Sequence, residues 1–123
     1  MDIYREIILD HYKHPRHFGH LSKPDAKNEE QNVSCGDRIV MEVLFSKRHN
    51  DVVRDIRFSG EGCAISIASA SLLTEKVVSM STKEIFTLGA NDILAMLGTA
   101  LTPTRVKCAV LPLEALHKVL QRR

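Results

Sequence analysis

The chain has no tryptophan, two tyrosines and four phenylalanines among its 123 residues. Aromatic rings cannot fill an interior on those numbers, so leucine, isoleucine, valine and alanine must. At 44% hydrophobic residues they suffice for one compact domain spanning residues 1–123. Charge of one sign is also scarce. The net charge is +2, and the basic residues are scattered apart from Lys47-Arg48 and Arg122-Arg123. That argues against a nucleic-acid binder, which needs a concentrated basic face. No apolar run is long enough to span a membrane, and Met1-Asp2-Ile3-Tyr4-Arg5-Glu6 lacks the basic-then-apolar order of a secretory signal. Three widely spaced cysteines make no disulfide framework, so a reducing cytoplasm is the expected setting.

What is present is organised as helix, strands, helices. Asp2 can cap a helix with Ile3, Ile7, Ile8 and His11 on one face, ended by Pro15. A long polar stretch runs from Pro15 to Ser34, with an edge strand possible over residues 27–33; loops of that length are usually functional or disordered. Ile39, Met41, Val43 and Phe45 alternate as a strand. Val52, Ile56 and Phe58 mark a second, with Arg54 the exception, and the two are expected to form an antiparallel hairpin. A helix is predicted from Cys63 to about Val78, then a short one behind the capping box Ser81-Thr82-Lys83-Glu84, ending at Gly89. Asn91 is expected to cap the next. Residues 101–105 read as extended or turn-like, and a last helix follows Cys108, with Pro112 tolerated in its first turn. The fold class is α+β: a small antiparallel sheet packed against helices.

The chemistry concentrates at sulfur. Cys35, Cys63 and Cys108 are each expected at a junction between elements, and junctions at one end of a domain can converge. Asp37 lies two residues past Cys35, so both side chains can point the same way from an extended segment. Helix N-termini favour thiolate at Cys63 and Cys108, and Lys107 would do the same for Cys108. Gly36, Gly60 and Gly62 suit a backbone that approaches an ion closely. Three sulfurs and one carboxylate oxygen can hold a thiophilic metal or an iron–sulfur cluster, and the oxygen makes such a site labile. Free cysteines equally often pack as small hydrophobes, and spacing alone does not decide between the two.

These segments resemble the U-type iron–sulfur cluster assembly proteins: IscU, SufU and the N-terminal domain of NifU. The resemblance runs over nearly the whole chain. It rests on the run from Ile8 to Arg16, on Cys35-Gly36-Asp37, on the segment Gly62 to Ser71, and on Lys107-Cys108-Ala109. It implies a metal site at one end of the domain formed by Cys35, Asp37, Cys63 and Cys108. It also implies a cysteine desulfurase as sulfur donor and apo iron–sulfur proteins as acceptors. Lys107, where IscU-like proteins carry His, and the Cys63 segment look SufU-like; the short span between Cys63 and Cys108 looks IscU-like. Leu101-Thr102-Pro103-Thr104-Arg105 keeps only two residues of the IscU motif that recruits a dedicated Hsp70 chaperone, which makes such recruitment doubtful.

Two functions follow from the resemblance, and the residues leave a third open. In the first, the protein is a scaffold on which a transient [2Fe–2S] cluster is assembled, with Asp37 as the labile ligand. In the second, the same four side chains hold Zn2+ and a cysteine, Cys35 or Cys108, takes sulfur from a SufS-type desulfurase. Either way the protein is a carrier and not a turnover enzyme. A Cys–His hydrolase or transferase is the third, but no histidine adjoins a cysteine. His11, His14, His17 and His20 recur every three residues, yet Pro15 interrupts their helix, so surface or capping roles are expected. His49 is expected at a hairpin tip and His117 on a helix surface. Ser66, Ser69 and Ser71 are expected to serve close helix packing.

Overall fold

The computed structural model describes residues 3–33 and 36–121. The proposed cap at Asp2 and the thiol of Cys35 lie outside them. The order of elements is α1 (Ile3–Lys13), β1 (Ala26–Asn32), β2 (Asp37–Phe45), β3 (Val53–Glu61), α2 (Ala64–Val77), α3 (Thr82–Phe86), α4 (Ala90–Leu97) and α5 (Pro103–Gln121). The three strands form one antiparallel sheet in the order β1-β2-β3, with α2 and α5 packed on it. This is the expected α+β architecture.

Alternation sets the inner face of the sheet. Ile39, Met41 and Val43 on β2 are wholly buried, as are Ile56 and Phe58 on β3. The buried residue at the start of β3 is Val53, however, where alternation from Ile56 pointed to Val52. Leu44 pairs with Asp55 but Phe45 pairs with Val53, so Arg54 is an extra residue bulged out of the ladder. A bulge breaks the period of two, which lets Val53 and Ile56 both face inward. The edge strand over residues 27–33 also forms, as β1. The stretch before it is tied down. The N–H of Gly19 donates to the Phe58 carbonyl and that of Phe58 to the His17 carbonyl (both 2.9 Å), while Asp25 Oδ2 accepts from the N–H of Phe45 (2.8 Å).

Helix α2 is the centre of the molecule. Every residue from Ile65 to Ser71 is buried, because the helix is enclosed by α1, α5 and the sheet. Ala68, Ser69, Ala70 and Ser71 keep its girth small enough for that. The capping box of α3 is present: Glu84 N–H donates to Ser81 Oγ (3.1 Å) and Ser81 N–H to Glu84 Oε1 (3.0 Å). That helix stops at Phe86, short of Gly89. Helix α4 is capped by Gly89, whose N–H donates to Asp92 Oδ2 (2.8 Å), and not by Asn91.

The largest departure is α5. It begins at Pro103, not after Cys108, because proline suits a first helical position, where its missing N–H has no partner to lose. Thr102 starts the helix, its carbonyl accepting from the N–H of Val106 (2.9 Å). Cys108 therefore sits in the second turn, and Pro112 lies inside the helix. Proline offers no N–H to the carbonyl four residues back, which is that of Cys108. One residue on, the Ser69 hydroxyl donates to the Ala109 carbonyl and clips α2 to α5 there.

Candidate metal centre

Three elements bring three ligand atoms together. Asp37 opens β2, Cys63 is the N-cap of α2, and Cys108 comes from α5. Their oxygen and sulfur atoms all lie within 4.8 Å of one another. Tetrahedral zinc with bonds of ~2.3 Å to sulfur separates its ligands by roughly 3.8 Å, so modest closure completes such a site. Neither Cys63 nor Cys108 is in a disulfide. Cys35 precedes Gly36 and Asp37 in sequence and lies outside the described residues.

Asp37 carries the electrostatic argument. It is buried, at 5% exposure. Its Oδ1 accepts the backbone N–H of Cys63 (3.2 Å), but Oδ2 is buried with no hydrogen-bond partner among the described residues. A buried carboxylate oxygen left bare costs free energy unless a proton or a cation meets it. The thiols of Cys63 and Cys108, soft donors for a thiophilic metal, stand beside it. The residues present fit a metal ion or a cluster on that ground.

Cys63 follows the end of β3 at Glu61 and opens α2 as its N-cap. At this N-cap no side chain caps the first turn, so exposed N–H groups leave partial positive charge beside the sulfur. Cys108, expected to share this environment, does not, since it is in the second turn of α5 and the effect fades within the first. Lys107 is exposed and lines an open cleft of about 280 Å³ with Val33, Leu111 and Glu114. The predicted glycines divide. Gly36 takes φ +77° with open space around it, whereas a Cβ at Gly60 would fall 1.9 Å from the Arg38 carbonyl oxygen and one at Gly62 would fall 2.1 Å from Ser66 Oγ.

The histidines do not join the centre. His11 is buried on α1, its Nδ1 2.7 Å from Ser71 Oγ, which also accepts the N–H of Arg16 (2.9 Å). Burial, and secondarily the charge of Arg16, holds His11 below the usual histidine range. His20 Nδ1 meets Glu42 Oε2 at 2.7 Å. His49 is exposed at the hairpin, as expected, but His117 is half-buried and contacts the Ile85 carbonyl at 3.0 Å. All three serines are wholly buried; Ser69 and Ser71 meet α5 and α1 in helix contacts, as anticipated, whereas the Ser66 hydroxyl turns back to Cys63. Sequence reasoning missed that Ser66 faces the Cys63 turn; its place one helical turn after Cys63 was the available signal.

Residues 3–122 match the family model of the NifU-like N-terminal domain. The chain belongs to that family. Among its relatives, the zinc-dependent sulfurtransferase SufU of Bacillus subtilis (strain 168) is 38% identical, covering 94% of this chain and 88% of the relative. The iron–sulfur cluster assembly scaffold protein IscU of Streptococcus pyogenes serotype M1 is 34% identical, covering 98% and 84%. A solved structure described as an iron–sulfur cluster assembly scaffold for the SUF system of Fervidobacterium islandicum AW-1 superposes with TM-score 0.79 at 27% identity, covering 94% of each chain. The N-terminal NifU-like protein of Brucella abortus, at 20% identity and TM-score 0.78, shares the fold.

Proposed function

We propose that this protein, as one domain over residues 1–123, is an iron–sulfur cluster assembly scaffold. It takes sulfur from a cysteine desulfurase and passes a [2Fe–2S] cluster to apo acceptor proteins. The observation that carries this reading is the bare, buried Asp37 Oδ2 beside the thiols of Cys63 and Cys108. Cys35, two residues from Asp37, is the fourth ligand proposed. In sulfur transfer, a cysteine thiolate of the scaffold attacks the outer sulfur of the desulfurase persulfide. The S–S bond breaks, the desulfurase cysteine leaves as thiolate, and the scaffold cysteine becomes the persulfide, with no net change of oxidation state. Cys35 and Cys108 are the acceptor candidates; Cys108 is buried on α5. Reduction of that sulfur to sulfide draws on an external electron donor. The compartment proposed is a reducing cytoplasm, where such cysteines would stay as thiols. No helix among the described residues is long and apolar enough to cross a membrane.

A second reading, a zinc-dependent sulfur relay, is favoured by Lys107 beside Cys108 and by the likeness to SufU. Asp37, Cys63, Cys108 and Cys35 would hold the ion. Bound zinc would keep the thiols deprotonated. The residues then hold and orient sulfur in the same way in both readings.

Reconstitution decides between them. The protein is incubated without oxygen with a cysteine desulfurase, cysteine, ferrous iron and a reductant, and apo acceptor is added afterwards. Visible sulfide-to-iron bands that form and move to the acceptor establish the scaffold. Their absence, with zinc retained and desulfurase turnover accelerated, establishes the relay. Asp37→Ala is expected to slow departure of a bound cluster, because it removes the labile oxygen ligand. Asp37→Asn keeps an acceptor for the Cys63 N–H, so a smaller effect on folding than Asp37→Ala separates the two jobs of this side chain.

A further inference from the structure

Ser66 is wholly buried, and its contacts converge on one residue. Its Oγ donates to the Cys63 carbonyl at 3.1 Å, which also accepts the N–H of Ile67 at 3.1 Å. The same Oγ accepts from the thiol of Cys63 at 3.8 Å. The N–H of Cys63 is held from the other side by Asp37 Oδ1. Both peptide groups of Cys63 are thus pinned, and only the side-chain torsion remains to aim its sulfur.

Gly62 is the counterpart of this arrangement. A Cβ there would fall 2.1 Å from Ser66 Oγ and 3.5 Å from Asp37 Cγ. The hydroxyl occupies the space a side chain at position 62 would need. Helix packing alone accounts for Ser69 and Ser71, whose hydroxyls reach α5 and α1. It does not account for Ser66, whose hydroxyl turns back on its own helix start.

We propose that Ser66 is a positioning residue for Cys63: in the thiol form its hydroxyl donates to the Cys63 carbonyl and accepts the thiol proton, and once that sulfur binds a metal the single O–H turns from the carbonyl to the sulfur, while Gly62 leaves the room for it. This rests on the reading of Asp37, Cys63 and Cys108 as ligands. An N-cap is ordinarily Ser, Thr, Asp or Asn, which ties up its own side chain in capping. Here the N-cap side chain is a thiol kept for a ligand, and Ser66 takes over the task of fixing the first turn. Hydrogen bonds to a metal ligand from residues behind it commonly change metal affinity by about 10–100-fold when lost.

The test uses the full chain, zinc competition against a chelator, and the thiolate-to-metal charge-transfer bands of the cobalt-substituted protein. Ser66→Ala is expected to weaken zinc binding about 10-fold and to shift the cobalt bands. Gly62→Ala should cost a similar amount, because it displaces the same hydroxyl. The double variant should bind zinc little more weakly than Ser66→Ala, since the 2.1 Å clash is gone and only the milder 3.3 Å approach to the Cβ of residue 66 remains. Unchanged zinc affinity and cobalt bands in Ser66→Ala would overturn the proposal. So would an undiminished cost of Gly62→Ala in the Ser66→Ala background. A lowered melting temperature of the zinc-free Ser66→Ala protein, with binding and bands intact, would reduce Ser66 to a packing residue and overturn it too. Absence of thiolate-to-cobalt bands in the unmodified protein would instead sink the ligand reading on which the proposal stands.

Discussion

Two buried polar centres flank α2, and they are built on opposite terms. At mid-helix, Ser71 Oγ meets the N–H of Arg16 and the ring of His11, and Thr74 Oγ1 donates to the Ser71 carbonyl (2.9 Å). With the Ser71 hydroxyl donating to His11 Nδ1, the remaining ring proton faces Glu75, whose carboxylate is 3.9 Å away. At the N-terminus of the same helix, Asp37 leaves one carboxylate oxygen unmet next to two thiols. The first centre closes upon itself and holds α1 and its exit against α2. The second gathers a carboxylate and two thiols that could hold a metal ion, and one carboxylate oxygen has no protein partner among the described residues. Buried polarity that is satisfied stabilises a fold; His17 Nδ1 and Asn28 Nδ2 are also buried without a partner, so it is the two thiols beside Asp37 Oδ2 that set this oxygen apart.

Substitutions that act on one centre and spare the other sharpen this contrast. The largest effect belongs to Cys63→Ser, expected to lower zinc affinity by at least about 100-fold, since removing a ligand exceeds the loss of a supporting hydrogen bond. Its zinc-free melting temperature should stay close to that of the unmodified protein, and a collapse there would erase the distinction. Ser71→Ala is the mirror image. It strands the Arg16 N–H and one His11 nitrogen in the interior, at a cost of about 1–3 kcal/mol in urea denaturation, with zinc competition unchanged.

Acid probes the mid-helix centre without mutation. His11 is held below the ordinary histidine range in the folded chain. On acidification the unfolded chain therefore takes up the proton first. Stability is full above the unfolded pKa of about 6.5 and is lost as pH falls below it, through the depressed folded value. Urea midpoints of the zinc-free protein should fall over that window, and a His11→Gln variant should show a flatter dependence. The smallest effect is expected at Ser81→Ala, which removes the α3 cap at a cost of about 1 kcal/mol in urea denaturation and touches neither centre. A change in zinc affinity there would show that the two regions are coupled through the helices.

Local pattern made much of this protein legible. Alternation from Ile39 to Phe45 identified β2, the Ser81–Glu84 box identified α3, and Pro15 ended α1, because each rests on contacts within a few residues. The errors came where a distant partner decides. Val53 replaced Val52 in the core because pairing with β2 expelled Arg54 as a bulge. Helix α5 ran straight through Pro112 because burial against α2 and the sheet outweighs one missing helical hydrogen bond. Histidines spaced for a metal found other work: His11 was claimed by Ser71 and His20 by Glu42.

The candidate site shows the same division. Which residue types could serve, thiols beside glycines and one nearby carboxylate, was set by the sequence, since donor chemistry belongs to the side chain itself. That Asp37, Cys63 and Cys108 meet within 4.8 Å was decided by tertiary structure, because β2, α2 and α5 are far apart along the chain and only their common packing brings them to one place. The tertiary structure also decided that Asp37 divides its two oxygens between the Cys63 backbone and an open position, and that Ser66 rather than a conventional cap fixes the start of α2. Those depend on angles and distances between elements, which no local pattern in the sequence contains.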